Sequence, residues 1–188
     1  MNKVQITLEQ ALKIEGINKY IFDGLPLKTY DCSQITDGYA ALILATEEGL
    51  AKLGVPKHET VEIAGFGEAT DPLAKGGRDV LRPAGAYRAM STAYKMAGLT
   101  PADINVAEVH DCFSVMGAIG AEVIGKAQPG EGAKYWVEGK AKPDGECGIN
   151  TSGGLIAKGH PVGATGIAMS GGQGSNCSAG YQVNAQDR

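Results

Sequence analysis

No stretch of this 188-residue chain is long and apolar enough to cross a bilayer. Its first residues, Met-Asn-Lys-Val-Gln-Ile, contain no signal-peptide core. Both absences place the chain, by default, among soluble cytoplasmic proteins without a membrane partner. Basic residues are not in excess: 17 Lys and Arg stand against 21 Asp and Glu, a net charge of −4. None of them cluster as nucleic-acid binding requires, which excludes that class of partner. The four cysteines, Cys32, Cys112, Cys147 and Cys177, form no Cys-x-x-Cys pair, so no zinc site is expected. Scattered and without an export signal, they read as free thiols rather than a disulfide framework. What is present is a globular composition, 43% apolar, of a size that suits one domain or a large part of a two-lobed protein. The 28 glycines have no period and gather between residues 145 and 180, marking loops and close backbone approach.

Along the chain, Thr7 and Gln10 have capping-box spacing, and Leu8, Ala11 and Leu12 form an apolar stripe, which predicts a helix. Residues Gly24 to Gly38 read as loop. Ala40 to Ala45 is a short apolar run, read as a buried strand; Thr46 then caps a helix to Leu53 that stops at Gly54. Glu47 and Glu48 complement the dipole of that helix. Val55-Pro56-Lys57 is a connector, with His58 exposed beside it. Val61 to Gly65 reads as a strand. Pro83 to Ala97 reads as a helix with Ala86, Met90, Ala93 and Ala97 on one face, ended by Gly98. Thr100-Pro101 opens a short turn. Val106 to Val109 is then a strand and Phe113 to Ile124 a helix. Alternation of strands and helices predicts an α/β fold with a mixed, mostly parallel sheet packed by helices. Ligands of such sheets bind beyond the carboxyl ends of the strands, where His110 falls. Ile167-Ala168-Met169 reads as a helix start, but from Ser170 to Arg188 no apolar periodicity or completing strand follows.

The chemistry gathers in two segments. Residues 153 to 166 hold His160 among five glycines and Pro161. Gly153, Gly154, Gly159 and Gly163 allow close approach, and Pro161 stiffens the chain after the imidazole. The other segment is His110-Asp111-Cys112-Phe113, at a strand end and a helix start. A cysteine there is expected to have a lowered pKa, since free N–H groups and the helix dipole favour thiolate. Two imidazoles and a thiol offer an acid, a base and an oxyanion donor. Asp111 is expected to orient or cap rather than act as a base. The plainer alternatives are a hydrogen-bonded surface histidine, a small buried thiol and simple turns. Cys32 and Cys147 take that plainer reading, and Cys177 reads as an exposed thiol.

The blocks Asp31-Cys32-Ser33-Gln34-Ile35-Thr36-Asp37-Gly38, Ala107-Glu108-Val109-His110-Asp111-Cys112-Phe113 and Ile149 to Gly166 carry a resemblance to the thiolase superfamily. They are most similar to its sterol-carrier-protein and archaeal-type acetyl-CoA acetyltransferase branch. The likeness runs from about residue 7 to about residue 169, with the blocks in the family's order and spacing. It implies two similar α/β halves, with residues 1–58 as the tail of the first and 59–188 as a truncated second, incomplete at both ends. It implies acyl transfer with acyl-CoA and CoA as substrates, no covalently bound cofactor and no metal. His160 would activate a nucleophilic cysteine, His110 would contact the thioester oxygen or hold a water, and Cys112 would move the α-proton.

None of the cysteines here corresponds to the family's nucleophile, which the resemblance places upstream. Activity is therefore expected to need the missing half or another thiolase-like chain, in a homo- or hetero-oligomer. The alternative is a non-catalytic thiolase-like binding or assembly subunit. A third reading, a damaged reading frame, follows from the abrupt change at Ser170. A ketosynthase would frame its second histidine differently.

Overall fold

A computed structural model describes residues 6–72 and 79–170. Helices form where the sequence supplies their ends. Thr7 and Gln10 exchange side-chain and backbone hydrogen bonds of 3.2 and 2.9 Å around α1 (Leu8–Leu12). Of the predicted apolar stripe on that helix, Ala11 is partly buried while Leu8 and Leu12 are 76% and 67% exposed. Thr46 Oγ1 accepts the Gly49 N–H at 3.1 Å to open α2 (Glu47–Leu53), and Gly54, at φ 68°, ends it. Helix α3 (Ala84–Ala97) ends the same way at Gly98, and its buried face carries Met90. His58 stands in a short 3₁₀ turn, Lys57–Glu59, and is exposed, as its connector position implied.

The expected strands behave differently. Ala40–Ala45 and Val61–Gly65 form no strand and pair with no other segment in a sheet among the described residues. The run from Ala40 is not buried, since Ile43 and Leu44 are 86% and 70% exposed. Periodicity identifies a chain suited to a sheet, but a strand also needs a neighbouring backbone to take its donors and acceptors. The second segment lies instead on α3, where a Cβ at Gly65 would collide with the Ala93 carbonyl.

The remaining elements enclose the core. Strand β1 (Val106–Ala107) pairs in parallel with β2 (Gly148–Ile149), Val106 opposite Gly148 and Ala107 opposite Ile149. The strand expected to reach Val109 stops earlier for a local reason. The Val109 N–H donates to the Asn150 side-chain Oδ1 at 2.7 Å, and Asn150 N–H to the Ala107 carbonyl at 2.8 Å. Asn150 turns the chain there at φ 54°.

Helix α4 (Ser114–Val123) packs against α5 (Gly132–Val137), whose first N–H donates to the buried Glu122 carboxylate at 2.9 Å. Trp136 Nε1 donates to the Gly117 carbonyl at 3.1 Å, and Tyr94 Oη to the Ile124 carbonyl at 2.7 Å. Ile104, Ile124, Cys147 and Ile149 fill the space between. The architecture is thus mixed α/β around a small parallel sheet. Short helices α6 (Gly154–Lys158) and α7 (Thr165–Ser170) bracket the glycine-rich loop. The tail beyond Ser170, including Cys177, lies outside the described residues. No helix among the described residues is long and apolar enough to cross a membrane.

Candidate active site

Backbone contacts with an upstream segment aim His160. Its N–H donates to the Gln34 carbonyl at 2.8 Å, and His160 bridges Ile35 in parallel. Gly159 makes this possible: at φ 91° it lies so close to Thr36 that a Cβ would fall 2.5 Å from Thr36 Cγ2. Pro161 packs over Gly38, where a Cβ would meet its ring at 2.9 Å.

One hydroxyl contacts the ring directly. Thr165 Oγ1 lies 2.7 Å from His160 Nδ1 and donates its single proton to the Pro161 carbonyl at 3.1 Å. The Nδ1–H tautomer satisfies both contacts at once, the ring donating to Thr165 and Thr165 to the Pro161 carbonyl, and it leaves the Nε2 lone pair free. The sequence offered no signal for Thr165, a buried polar residue inside Gly-Ala-Thr-Gly.

Asp111 binds the second segment to the first. Its carboxylate is buried and accepts the Leu155 N–H at 2.7 Å, in the first turn of α6. It orients and caps, as its place in the sequence suggested. The adjoining His110 meets the His160 ring edge-on, with centroids 4.9 Å apart and planes at 81°. Partial desolvation lowers the His110 pKa and the His160 imidazole lowers it further, against the opposing pull of Asp111. His110 therefore stays neutral further into acid than an ordinary histidine. Its folded-state pKa lies below its unfolded value, so its contribution to stability is complete above the unfolded value and falls as pH drops through the folded one. In an NMR titration of the chain, His110 is expected to titrate below the ordinary histidine value. The substitution His160→Ala is expected to move its midpoint upward; an unmoved midpoint would refute the coupling.

Cys112 corrects an expectation. Desolvation raises its thiol pKa and the Asp111 carboxylate adds to this, outweighing the backbone N–H groups of Phe113 and Cys112 that favour thiolate. Helix α4 begins only at Ser114, and Cys112 lies at a bend before it, where its carbonyl accepts the Ser33 N–H at 2.9 Å. Its thiol forms no hydrogen bond to either imidazole among the described residues. An isolated bridge next to that bend pairs Cys32 with Phe113, bringing to the site a thiol whose position in the sequence suggested only a small buried side chain. Cys147 is fully buried in the core, as expected. Of the framing glycines, Gly153 and Gly154 have positive φ angles of 98° and 62°, whereas a Cβ at Gly163 would meet nothing within 4 Å. A cavity of about 800 Å³ lies elsewhere, lined by Leu42, Ile43, Leu50, Ile63, Met90 and Tyr94. Neither the two imidazoles nor Cys112 line it.

The mixed α/β unit thus sets two imidazoles edge to edge beyond the carboxyl end of a parallel strand, the edge at which ligands of such sheets bind. The chain belongs to the thiolase family: the Thiolase C-terminal domain-like family matches residues 67–178. It is 38% identical over 167 residues to the acetyl-CoA acetyltransferase of Methanothermobacter thermautotrophicus, covering 88% of this chain and 41% of that protein. It is 39% identical over 165 residues to human (Homo sapiens) sterol carrier protein 2, covering 86% of this chain and 30% of that protein. Against the benzoylsuccinyl-CoA thiolase subunit BbsB of Thauera aromatica the identity is 33%, covering 87% and 43%. The chain thus spans less than half the length of these relatives. A solved structure titled Ltp2-ChsH2(DUF35) aldolase shares the fold at a TM-score of 0.65 and 20% identity, over 88% of this chain and 42% of that one.

Proposed function

We propose that this chain supplies the proton-handling side of a thiolase-type acyl-CoA acyltransferase. The His110–His160 contact, with the Thr165 hydroxyl 2.7 Å from His160 Nδ1, is the observation that carries this reading. In the reaction, Nε2 takes the proton of a nucleophilic thiol, which attacks the thioester carbonyl and releases CoA as leaving thiol. His110, in its Nε2–H or imidazolium form, donates to the carbonyl oxygen as charge develops there. Cys112 then exchanges the α-proton of the second acyl-CoA. Its raised thiol pKa suits return of a proton to carbon as well as removal from it.

The nucleophile comes from elsewhere in this reading. Cys32, Cys112 and Cys147 all have raised thiol pKa values, with desolvation the first cause, and none is hydrogen-bonded to an imidazole among the described residues. The chain alone is therefore expected to show no CoA-dependent acetyl exchange. Joined to the complementary portion of an acetyl-CoA acetyltransferase, it is expected to show exchange. Turnover by the isolated chain, or an inactive but well-folded fusion whose parent enzyme is active, would count against the proposal.

A second reading, a non-catalytic assembly subunit, draws on the uncovered apolar segments. Ile43, Leu44, Val61 and Ile63 are each 49% or more exposed and line the cavity beside α3. Apolar surface of this kind favours association with another thiolase lobe or chain. Sedimentation equilibrium is expected to show a dimer or larger species, and Ile43→Glu to weaken it; a clean monomer at all concentrations would remove this support. A complex that forms normally but stays inactive would favour assembly over catalysis.

A further inference from the structure

Glu108, Ser152 and Lys158 form a part-buried polar network between the two segments that carry the histidines. The Ser152 N–H and hydroxyl donate to the two Glu108 carboxylate oxygens, at 3.1 and 2.7 Å. Lys158 Nζ donates to Ser152 Oγ at 2.7 Å and lies 3.7 Å from Glu108 Oε2. The Lys158 and Glu108 side chains are 14% and 7% exposed. The single hydroxyl proton goes to the carboxylate, so the ammonium must be the donor to Ser152, and the direction of every bond is determined.

The placement is specific. Glu108 precedes His110 by two residues, and Lys158 precedes His160 by two. Ala107 and Val109 face the core, which turns Glu108 and His110 to the other side of the extended chain. The network therefore spans the same two segments as the imidazole contact, one step behind it. Two further bonds, Asp111 with the Leu155 N–H and Asn150 with the Val109 N–H, join those segments on the core side. A buried ion pair contributes little net stability, because desolvation offsets its attraction. It does impose direction and spacing on what it joins.

We infer that the Glu108–Ser152–Lys158 network is a positioning device that holds His110 and His160 in ring contact, with Lys158 a positioning residue for acyl transfer. The role in transfer rests on the function proposed above; the positioning itself does not.

The test uses the whole chain in three variants: Ser152→Ala, Ser152→Thr, and the charge-neutral double exchange Glu108→Gln with Lys158→Met. The readouts are the nuclear Overhauser effect between the two imidazoles, the His110 titration midpoint and cooperative unfolding. The inference expects Ser152→Ala and the double variant to unfold cooperatively yet lose the inter-ring effect, with the His110 midpoint rising toward the ordinary value. Ser152→Thr, which keeps the hydroxyl, is expected to restore both. Folded variants with the ring contact and midpoint unchanged would overturn the inference, even if their stability fell. Failure of the alanine and double variants alike to fold would also overturn it, by making the network a requirement of the fold.

In the active fusion, Ser152→Ala is expected to lower kcat about tenfold with KM within about twofold, the mark of a misplaced group rather than lost substrate binding. Should the unsubstituted fusion prove inactive, the acyl-transfer reading fails while the NMR comparison still decides the positioning.

Discussion

Replacing Gly154 with alanine is expected to destabilise the chain by about 3 kcal/mol, the sum of overpacking and left-handed strain. Gly154 sits at φ 62°, and a Cβ there would collide with Asp111 Oδ2 and come within 2.9 Å of Asn150 Nδ2. Neither neighbour has room to yield. Asp111 is held by the Leu155 N–H, and Asn150 by the Val109 N–H and the Ala107 carbonyl. Leu155 is itself fully buried, so a shift of α6 would also open the packing beneath it. Gly163→Ala is the matched control: a Cβ there meets nothing within 4 Å, and the change should stay within about 0.5 kcal/mol. Urea unfolding followed by the fluorescence of Trp136 separates the two. Equal midpoints for both alanine variants would show that the crowding around Asp111 is not real.

In the active fusion, Thr165→Val is expected to reduce acyl exchange by about 10²-fold or more, comparable with removing a general base. Valine preserves the volume of threonine but removes the oxygen that receives the Nδ1 proton at 2.7 Å. His160 then has no reason to keep its proton on Nδ1, and the tautomer with a blocked Nε2 becomes populated. Thr165→Ser keeps the hydroxyl and is expected to retain most activity. The ¹⁵N shifts of the His160 ring report the tautomer directly, without reference to turnover. A valine variant that keeps both its Nδ1–H tautomer and its rate would rule out the role given to Thr165.

The parts legible in the sequence are those whose causes lie within a few residues. Thr7 with Gln10, Thr46 with Gly49, and the left-handed Gly54 and Gly98 mark helix ends by bonds inside a single turn. The two histidine segments were legible through residue type and order. Helices α5 and α6 and strand β2 were not: each is only a few residues long, too short for a periodic pattern, and each depends on a distant partner. Strand β2 forms because β1 lies beside it, and α6 begins where Asp111 accepts its N–H. The apolar runs at Ala40–Ala45 and Val61–Gly65 show the converse. Their pattern is that of strands, yet they find no pairing among the described residues.

By itself, then, the sequence determined the helix limits, the family and the residues able to handle protons, because these follow from local bonding and from the order of motifs. Only the tertiary structure decided how those residues act. It set the His110 and His160 rings edge to edge and placed the Thr165 hydroxyl 2.7 Å from His160 Nδ1. It also raised the Cys112 thiol pKa by burial, where its place before a helix had suggested the opposite. Contacts between segments far apart in the chain govern proton affinity through desolvation and hydrogen bonding, and neither is contained in the spacing of residues.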